Sequence, residues 1–235
     1  MNFYITERGE LSYQLKTAEK IMNNSNNPLL AITKNINNID LQNFLLKFQN
    51  RIILHSTITG FGRTNIEPGV CEWSESIDNL NKLINKGFPP TQIVLRVDPI
   101  IPTEKGIEVA KQVILSCPKE IKRIRFSFID GYKNIINLLP WDTFHAPLEF
   151  QKKTLDMLYN TIEDKELEAC GEPQLKENTG CISIKDYNIL NLKYPELITY
   201  KKQRKGCLCL NTKTEILKKQ KCPNGCKYCY YNLGN

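Results

Sequence analysis

Apolar residues recur at helical spacing across residues 8–24, where Leu11, Leu15, Ala18, Ile21 and Met22 fall on one face before an Asn-rich break. A short apolar run, Leu29-Leu30-Ala31-Ile32, then ends in Thr33-Lys34 and reads as a buried strand. A second helix is predicted at about 39–49, with Leu41, Phe44, Leu45 and Phe48 on one face. The alternation then repeats. Residues 51–57 (R-I-I-L-H-S-T) are β-branched and apolar and run into the loop Ile58-Thr59-Gly60-Phe61-Gly62-Arg63-Thr64. Ser74 caps a helix carrying Ile77, Leu80, Leu83 and Ile84, which closes at Gly87 and Pro89-Pro90. Residues 92–99 (Q-I-V-L-R-V-D-P) form the next strand, followed by a helix at about 104–116. Residues 124–130 (I-R-F-S-F-I-D) form another, followed by helical segments to about residue 163 and a fifth strand at Leu167-Glu168-Ala169-Cys170.

Continuous apolar strands alternating with helices predict an α/β fold with a parallel sheet covered by helices. No G-x-G-x-x-G follows the first strand, so a two-sided dinucleotide fold is not favoured over a full or partial (β/α) barrel. Barrel active sites are built at the carboxyl ends of the strands. That rule nominates Lys34, Thr57, Thr59, Arg63, Arg96, Asp98, Asp130 and Glu172. Arg96 and Asp98 are two residues apart on one strand and so share a face. Arg96, Asp98 and Glu172 are the candidate catalytic groups, and Thr59 and Arg63 the candidate cofactor contacts. Each has a plainer reading: Asp98-Pro99 and Asp130-Gly131 are also turn signals. His55 and His145 have no triad partner nearby and read as packing or surface residues.

The 235 residues are expected to form one domain, with 1–200 making most of the barrel and 201–235 a basic, cysteine-rich segment. No apolar run is long enough to cross a bilayer, and the first residues lack a basic-then-apolar signal pattern. A reducing, cytoplasmic setting is therefore expected, in which nine cysteines act as metal ligands or buried thiols rather than disulfides. The net charge of +7 is concentrated near the C-terminus. Residues 193–227 hold ten Lys/Arg against Glu196 and Glu215, a local balance of +8. Such a patch suits a nucleic acid or nucleotide partner, or it offsets the charge of thiolate-bound metal. Its aromatic residues are Tyr194, Tyr200, Tyr228, Tyr230 and Tyr231.

The cysteines fall into groups. Cys222, Cys226 and Cys229 stand at C-x3-C-x2-C spacing with Tyr228 just before the third. Three thiolates can hold three irons of a [4Fe-4S] cluster and leave the fourth iron open. Alternatively, Cys207 or Cys209 completes a structural zinc site. Cys170, Cys181, Cys207 and Cys209 are four further thiolates that could hold an auxiliary iron–sulfur cluster or zinc if the fold gathers them. Cys71 and Cys117 have no cysteine neighbours and read as buried free thiols.

The terminal triplet resembles the cluster motif of the radical S-adenosylmethionine (SAM) superfamily. The resemblance extends to Thr57-Ile58-Thr59-Gly60, Arg96-Val97-Asp98-Pro99-Ile100, Cys170-Gly171-Glu172, Gly180-Cys181-Ile182 and Gln203-Arg204 in that order. This order is similar to that of an uncharacterised bacterial family, loosely allied with spore photoproduct lyase-like proteins, that carries its cluster motif at the C-terminus. The likeness runs from about residue 29 onward. Two features depart from it: an Arg-Arg-Thr-Asp segment is missing, and Asn224 stands where a histidine is expected.

The resemblance implies a circularly permuted partial barrel of the radical SAM type. Cys222, Cys226 and Cys229 would hold a [4Fe-4S] cluster, and Tyr228 would lie against the adenine of SAM. Reductive cleavage of SAM would give a 5′-deoxyadenosyl radical that takes hydrogen from a substrate. The substrate would be a nucleobase or nucleic acid, or alternatively a peptide or small metabolite. A flavodoxin- or ferredoxin-like electron donor is implied as a partner. The remaining alternative is a non-enzymatic zinc protein that binds nucleic acid. Only six residues follow Cys229, so the tail is expected to dock or to be covered by another subunit.

Overall fold

The computed structural model describes residues 2–133, 135–195, 207–210 and 213–229. Its centre is a parallel sheet of eight strands, curled into a half-barrel. The strands are β1 (Phe3–Ile5), β2 (Leu29–Thr33), β3 (Ile52–Thr57), β4 (Ile93–Ile100), β5 (Arg123–Phe128), β6 (Glu166–Cys170), β7 (Asn178–Thr179) and β8 (Lys213–Glu215). In space they run β7-β6-β5-β4-β3-β2-β1-β8. From β1 to β7 each strand therefore adds beside its predecessor. Only β8 departs, returning to the far edge to pair with β1 through Phe3↔Lys213 and Ile5↔Glu215.

Five helices cover the convex face: α1 (Leu15–Asn23), α2 (Ile39–Lys47), α3 (Trp73–Asn85), α4 (Glu104–Leu115) and α5 (Leu148–Tyr159). Their starts follow from short polar residues. The Asn38 side chain accepts the Leu41 N–H at 2.8 Å, and that of Thr103 accepts the Gly106 N–H at 3.0 Å, each satisfying an otherwise orphaned donor. Met22, Leu41, Leu80, Ala110 and Leu155 bury their apolar stripes against Leu29, Leu54, Leu95 and Phe126 of the sheet. Each large apolar side chain so buried contributes roughly 1.5–3 kcal/mol.

The concave face has a separate, smaller core. Phe3, Leu30, Ile53 and Val94 pack there against Ile182, Tyr187 and Leu210. Tyr187 sits on α6 (Ile184–Ile189) and meets the Phe3 ring edge-on at 5.1 Å. A buried ion-pair cluster ties α6 to the sheet. Arg123 Nε donates to Glu168 at 2.9 Å, and its Nη1 donates to Asp186 at 2.8 Å. Asp186 in turn accepts the Ser183 N–H at 2.6 Å, closing a capping box.

All five predicted strands are present within one or two residues of their expected ends. Several local features differ. The helix expected over 8–24 is divided, because Glu10 accepts the Ser12 N–H and starts a tight turn at Leu11–Tyr13 ahead of α1. The region expected to be helical as far as 163 is mostly irregular up to α5, apart from one turn at Ile136–Leu138. β1, β7 and β8 are three residues or fewer and carry no readable alternation. Most of the sheet lies within residues 1–200, and β8 completes one edge from the segment beyond. No helix among the described residues is long and apolar enough to cross a membrane. Gln203, Arg204, Tyr200, Tyr230, Tyr231 and the tail after Cys229 lie outside the described residues.

Candidate functional site

Parallel strands present their carboxyl ends to one rim, and there the half-barrel opens into a cavity of about 870 Å³. That size suits a small molecule. The chain leaves β8 at this rim, so the residues that follow it are delivered to the cavity. The Ile216 N–H bonds the Ile5 carbonyl at 3.1 Å, and Gln14 exchanges two bonds with the Lys218 backbone at 2.9 and 3.0 Å. Cys222, Cys226, Tyr228 and Cys229 then line one side of the cavity.

Asn224 pins this loop. Its Oδ1 accepts from Tyr13 Oη at 3.1 Å and Asn35 Nδ2 at 3.2 Å, and its backbone carbonyl accepts the Gly69 N–H at 3.0 Å. The Lys227 N–H bonds the Ile66 carbonyl at 3.0 Å. Approach of the two loops is close enough to require glycine at 69, where a Cβ would stand 2.3 Å from the Pro223 carbonyl oxygen. Gly225 takes a left-handed φ of 62°, which lets the chain turn between Cys222 and Cys226.

Behind the loop lies a charged cluster centred on Glu67, which is almost wholly buried. It accepts from Lys34 Nζ at 2.8 Å, from Thr59 Oγ1 at 2.5 Å and from the Tyr228 hydroxyl. Lys34 Nζ also stands 5.5 Å from the centre of the Tyr228 ring, within cation–π range. Burial raises the Glu67 pKa, but Lys34, together with the Thr59 and Tyr228 bonds, outweighs it and leaves the carboxyl below its ordinary value. Burial, followed by the Glu67 charge, pushes the Tyr228 phenol well up. Tyr228 therefore stays protonated and is fixed by its hydroxyl with one face against Lys34.

The opposite side of the cavity is lined by Arg96, Asp98, Ser127, Cys170 and Cys181. Arg96 and Asp98 share the concave face, as their spacing predicts, and form an ion pair that Ser127 Oγ also joins. Arg96 Nε is buried and has no hydrogen-bond partner among the described residues. Thr57 and Asp130 line the cavity too, with Asp130 3.0 Å from His145 Nδ1. His145 is thus a neighbour of the rim, whereas His55 is fully buried inside the half-barrel.

The other nominated residues lie outside the lining. Thr59 is committed to Glu67, and Arg63 turns outward to Glu75 at 2.8 Å, at a backbone φ of 58°. Glu172 is buried behind the rim, where it accepts the Phe128 N–H at 2.8 Å. The strand-end rule that nominates these three does not say which way a loop side chain turns. Conversely, Glu10, Glu67, Asn35, Arg125 and Glu168 help build the site without having been nominated. Arg125 and Glu168 fall at concave-facing positions of β5 and β6, and a charged residue in an otherwise apolar strand was the available signal. Glu10, Glu67 and Asn35 lie in loops with no motif to mark them.

The second cysteine set makes pairwise contacts among the described residues. Cys170 Sγ and Cys181 Sγ are 3.5 Å apart, the Cys181 N–H donates to Cys209 Sγ at 3.0 Å, and the Cys209 N–H donates to Cys207 Sγ at 3.5 Å. Hydrogen bonds from Cys170 and Cys209 hold the Cys181 thiol well below the usual thiol range. Cys71 and Cys117 are isolated buried thiols, and burial pushes Cys117 up to about 11.

Among the described residues no three His, Cys, Asp or Glu side chains gather tightly enough to hold one metal ion. An iron–sulfur cluster asks for something else, since each thiolate binds its own iron and the ligands stand apart around an inorganic core. Cys222, Cys226 and Cys229 are three soft donors of that chemistry, and all three line the same cavity.

The molecule thus belongs to the class of parallel half-barrels with a cysteine loop at the carboxyl rim. In family terms, residues 12–231 match the domain of unknown function DUF1848, and the chain belongs to that family. No curated protein and no solved structure matches it.

Proposed function

We propose that this chain is a radical SAM enzyme with a circularly permuted half-barrel. One observation carries the reading: β8 sits beside β1 and hands the C-x3-C-x2-C loop to the carboxyl rim of the parallel sheet. Taken from β8, the strands would run in spatial order β8, β1, β2, β3, β4, β5, β6 and β7, with the cysteine loop following the first strand. The residues Cys222, Cys226 and Cys229 would hold a [4Fe-4S] cluster, with SAM on the open iron.

When bound and reduced, that pair supplies homolysis of a C–S bond of SAM to a 5′-deoxyadenosyl radical. The chain's own share is positioning and exclusion of water. Asn224 holds the loop in place. Tyr228, fixed through Glu67 and Lys34, offers a flat, oriented surface for the adenine. Arg96, whose buried Nε has no hydrogen-bond partner among the described residues, and Asp98 stand across the cavity, where substrate would lie. Lys219 and Lys221 also line the cavity and so bring the basic segment to its mouth. This supports an anionic substrate of nucleotide or nucleic acid type over a neutral metabolite. A flavodoxin- or ferredoxin-like protein would deliver the electron.

The test is spectroscopic. After anaerobic loading with iron and sulfide and reduction with dithionite, the wild type should give a paramagnetic cluster signal that changes when SAM is added. Cys226→Ala should lose the SAM response. A wild-type chain that instead carries one zinc per molecule and no SAM-responsive iron would overturn the proposal in favour of a zinc protein.

A further inference from the structure

Two cysteines that the proposed function does not use touch each other inside the cavity. β6 and β7 run side by side with Cys170 in register with Thr179, and Cys181 follows two residues beyond Thr179. Cys170 Sγ and Cys181 Sγ are 3.5 Å apart, and both residues line the cavity at the carboxyl rim. The turn that presents Cys181 is held from several sides. A Cβ on Gly180 would stand 2.5 Å from the Leu208 carbonyl oxygen and 2.8 Å from Cys209 Cα, so glycine is required there. The Cys181 N–H donates to Cys209 Sγ at 3.0 Å, and fully buried Arg125 donates to the Cys181 carbonyl at 3.1 Å.

Sulfurs in direct contact are too close to serve as ligands on separate irons, and among the described residues no three His, Cys, Asp or Glu side chains gather to hold one ion. The arrangement is instead that of a dithiol. A disulfide bond is about 2.05 Å long, so closing the pair takes an approach of roughly 1.5 Å, within reach of side-chain rotation. The charges of Arg96 and Arg125 act on both sulfurs and favour a thiolate on one of them. The Cys170 thiol donates to Cys181, which makes Cys181 the nucleophilic member. Cys170 and Cys181 are only 8% and 5% exposed, so a reaction partner must enter the cavity to meet them. That selects a small molecule over a protein.

We propose that Cys170 and Cys181 form a redox-active dithiol that reduces a small-molecule disulfide admitted to the cavity. The Cys181 thiolate attacks one sulfur of the disulfide, breaking its S–S bond and releasing one thiolate, which takes up a proton. Cys170, on losing its proton, attacks the Cys181 sulfur of the mixed disulfide and expels the second thiol. Two electrons thus pass from the pair to the small disulfide, leaving a Cys170–Cys181 bond and two free thiols. A dithiol reductant reverses both steps. None of this requires iron or SAM, so it stands or falls apart from the function proposed above.

The test is a thiol map of the full chain. Reduced protein, freed of reductant under nitrogen, is mixed with glutathione disulfide, quenched with acid at set times, alkylated and digested at lysine. Lys176 lies between the two cysteines and puts them in separate peptides. A Cys170–Cys181 link is expected to accumulate in the wild type and to disappear on adding dithiothreitol. Cys170→Ser should stop at glutathione on Cys181. Cys181→Ser should slow capture of glutathione at Cys170 by about tenfold or more. A pair that stays reduced would overturn the proposal, as would a Cys181–Cys209 link in its place or undiminished capture at Cys170 in Cys181→Ser. If a variant does not fold, the wild-type map decides alone, and the lack of a Cys170–Cys181 link overturns the proposal.

Discussion

Asn35 donates its side-chain amide to Asn224 Oδ1 at 3.2 Å, joining the loop after β2 to the cysteine loop near the other end of the chain. Both side chains are buried, so the bond is not in competition with water. It fastens the C-terminal segment to the first half of the half-barrel. Asn224 stands where the resembled family leads one to expect histidine. Here its role is to anchor, since its partners are Tyr13, Asn35 and Glu10.

Replacing Asn224 with alanine removes those bonds and leaves Asn35 short of a buried partner. Asn224→Ala is expected to cost about 1–3 kcal/mol in chemical denaturation. Iron uptake by the terminal triplet should fall with it. Unchanged stability would mean that the loop is held by its backbone contacts alone.

Gly69→Ala probes the same docking from the opposing loop. Its Cβ would meet the Pro223 carbonyl at 2.3 Å, so either loop must shift. The expected cost is about 1–3 kcal/mol. Limited proteolysis should then cut near residues 218–229 while the sheet survives. A variant as resistant as wild type would contradict the close approach.

Arg123 lies between Glu168 and Asp186 with all three side chains buried. Arg123→Ala leaves buried Asp186 without its cation, while Glu168 keeps Arg125, and should cost about 3–5 kcal/mol. Arg123→Lys should recover part of this, because lysine keeps the charge but not the fork that reaches both partners. Equal stability of the alanine variant and the wild type would remove the cluster from the account of how α6 is held.

His55 is fully buried, and neither ring nitrogen has a hydrogen-bond partner among the described residues. Burial, then the Arg125 and Arg96 charges, lowers its pKa well below 6.5. The folded chain therefore binds its proton less readily than the unfolded chain. Stability from this group is present above the unfolded value of about 6.5 and is lost as pH falls below it. His55→Leu should flatten the stability profile between about pH 7 and 5 without lowering stability at neutral pH. A profile that keeps its full slope would place the titrating group elsewhere.

Much of the architecture was readable in the residues because its strands are apolar runs of four to eight residues with helices between them. Leu29-Leu30-Ala31-Ile32 and Ile93-Val94-Leu95 could not be exposed anywhere. β8 was not readable, because Lys213-Thr214-Glu215 carries no apolar signal and pairs only along one edge. Within the site, Arg96 with Asp98 and the cysteine groups stood out by spacing alone. Glu67 did not. Its importance comes from contacts with Thr59 nearby and with Lys34 and Tyr228, which are distant in sequence and meet it only when the loops fold over one another.

The central claim is that the C-terminal cysteine loop makes this rim a site of SAM cleavage. The most direct measurement is 5′-deoxyadenosine formed by the anaerobically loaded chain with SAM and dithionite, quantified by mass spectrometry. The account predicts its formation by the wild type and by Cys71→Ser, and its loss in Cys226→Ala with the fold retained. No 5′-deoxyadenosine from an iron-loaded, reduced wild type, or undiminished formation by Cys226→Ala, would contradict it.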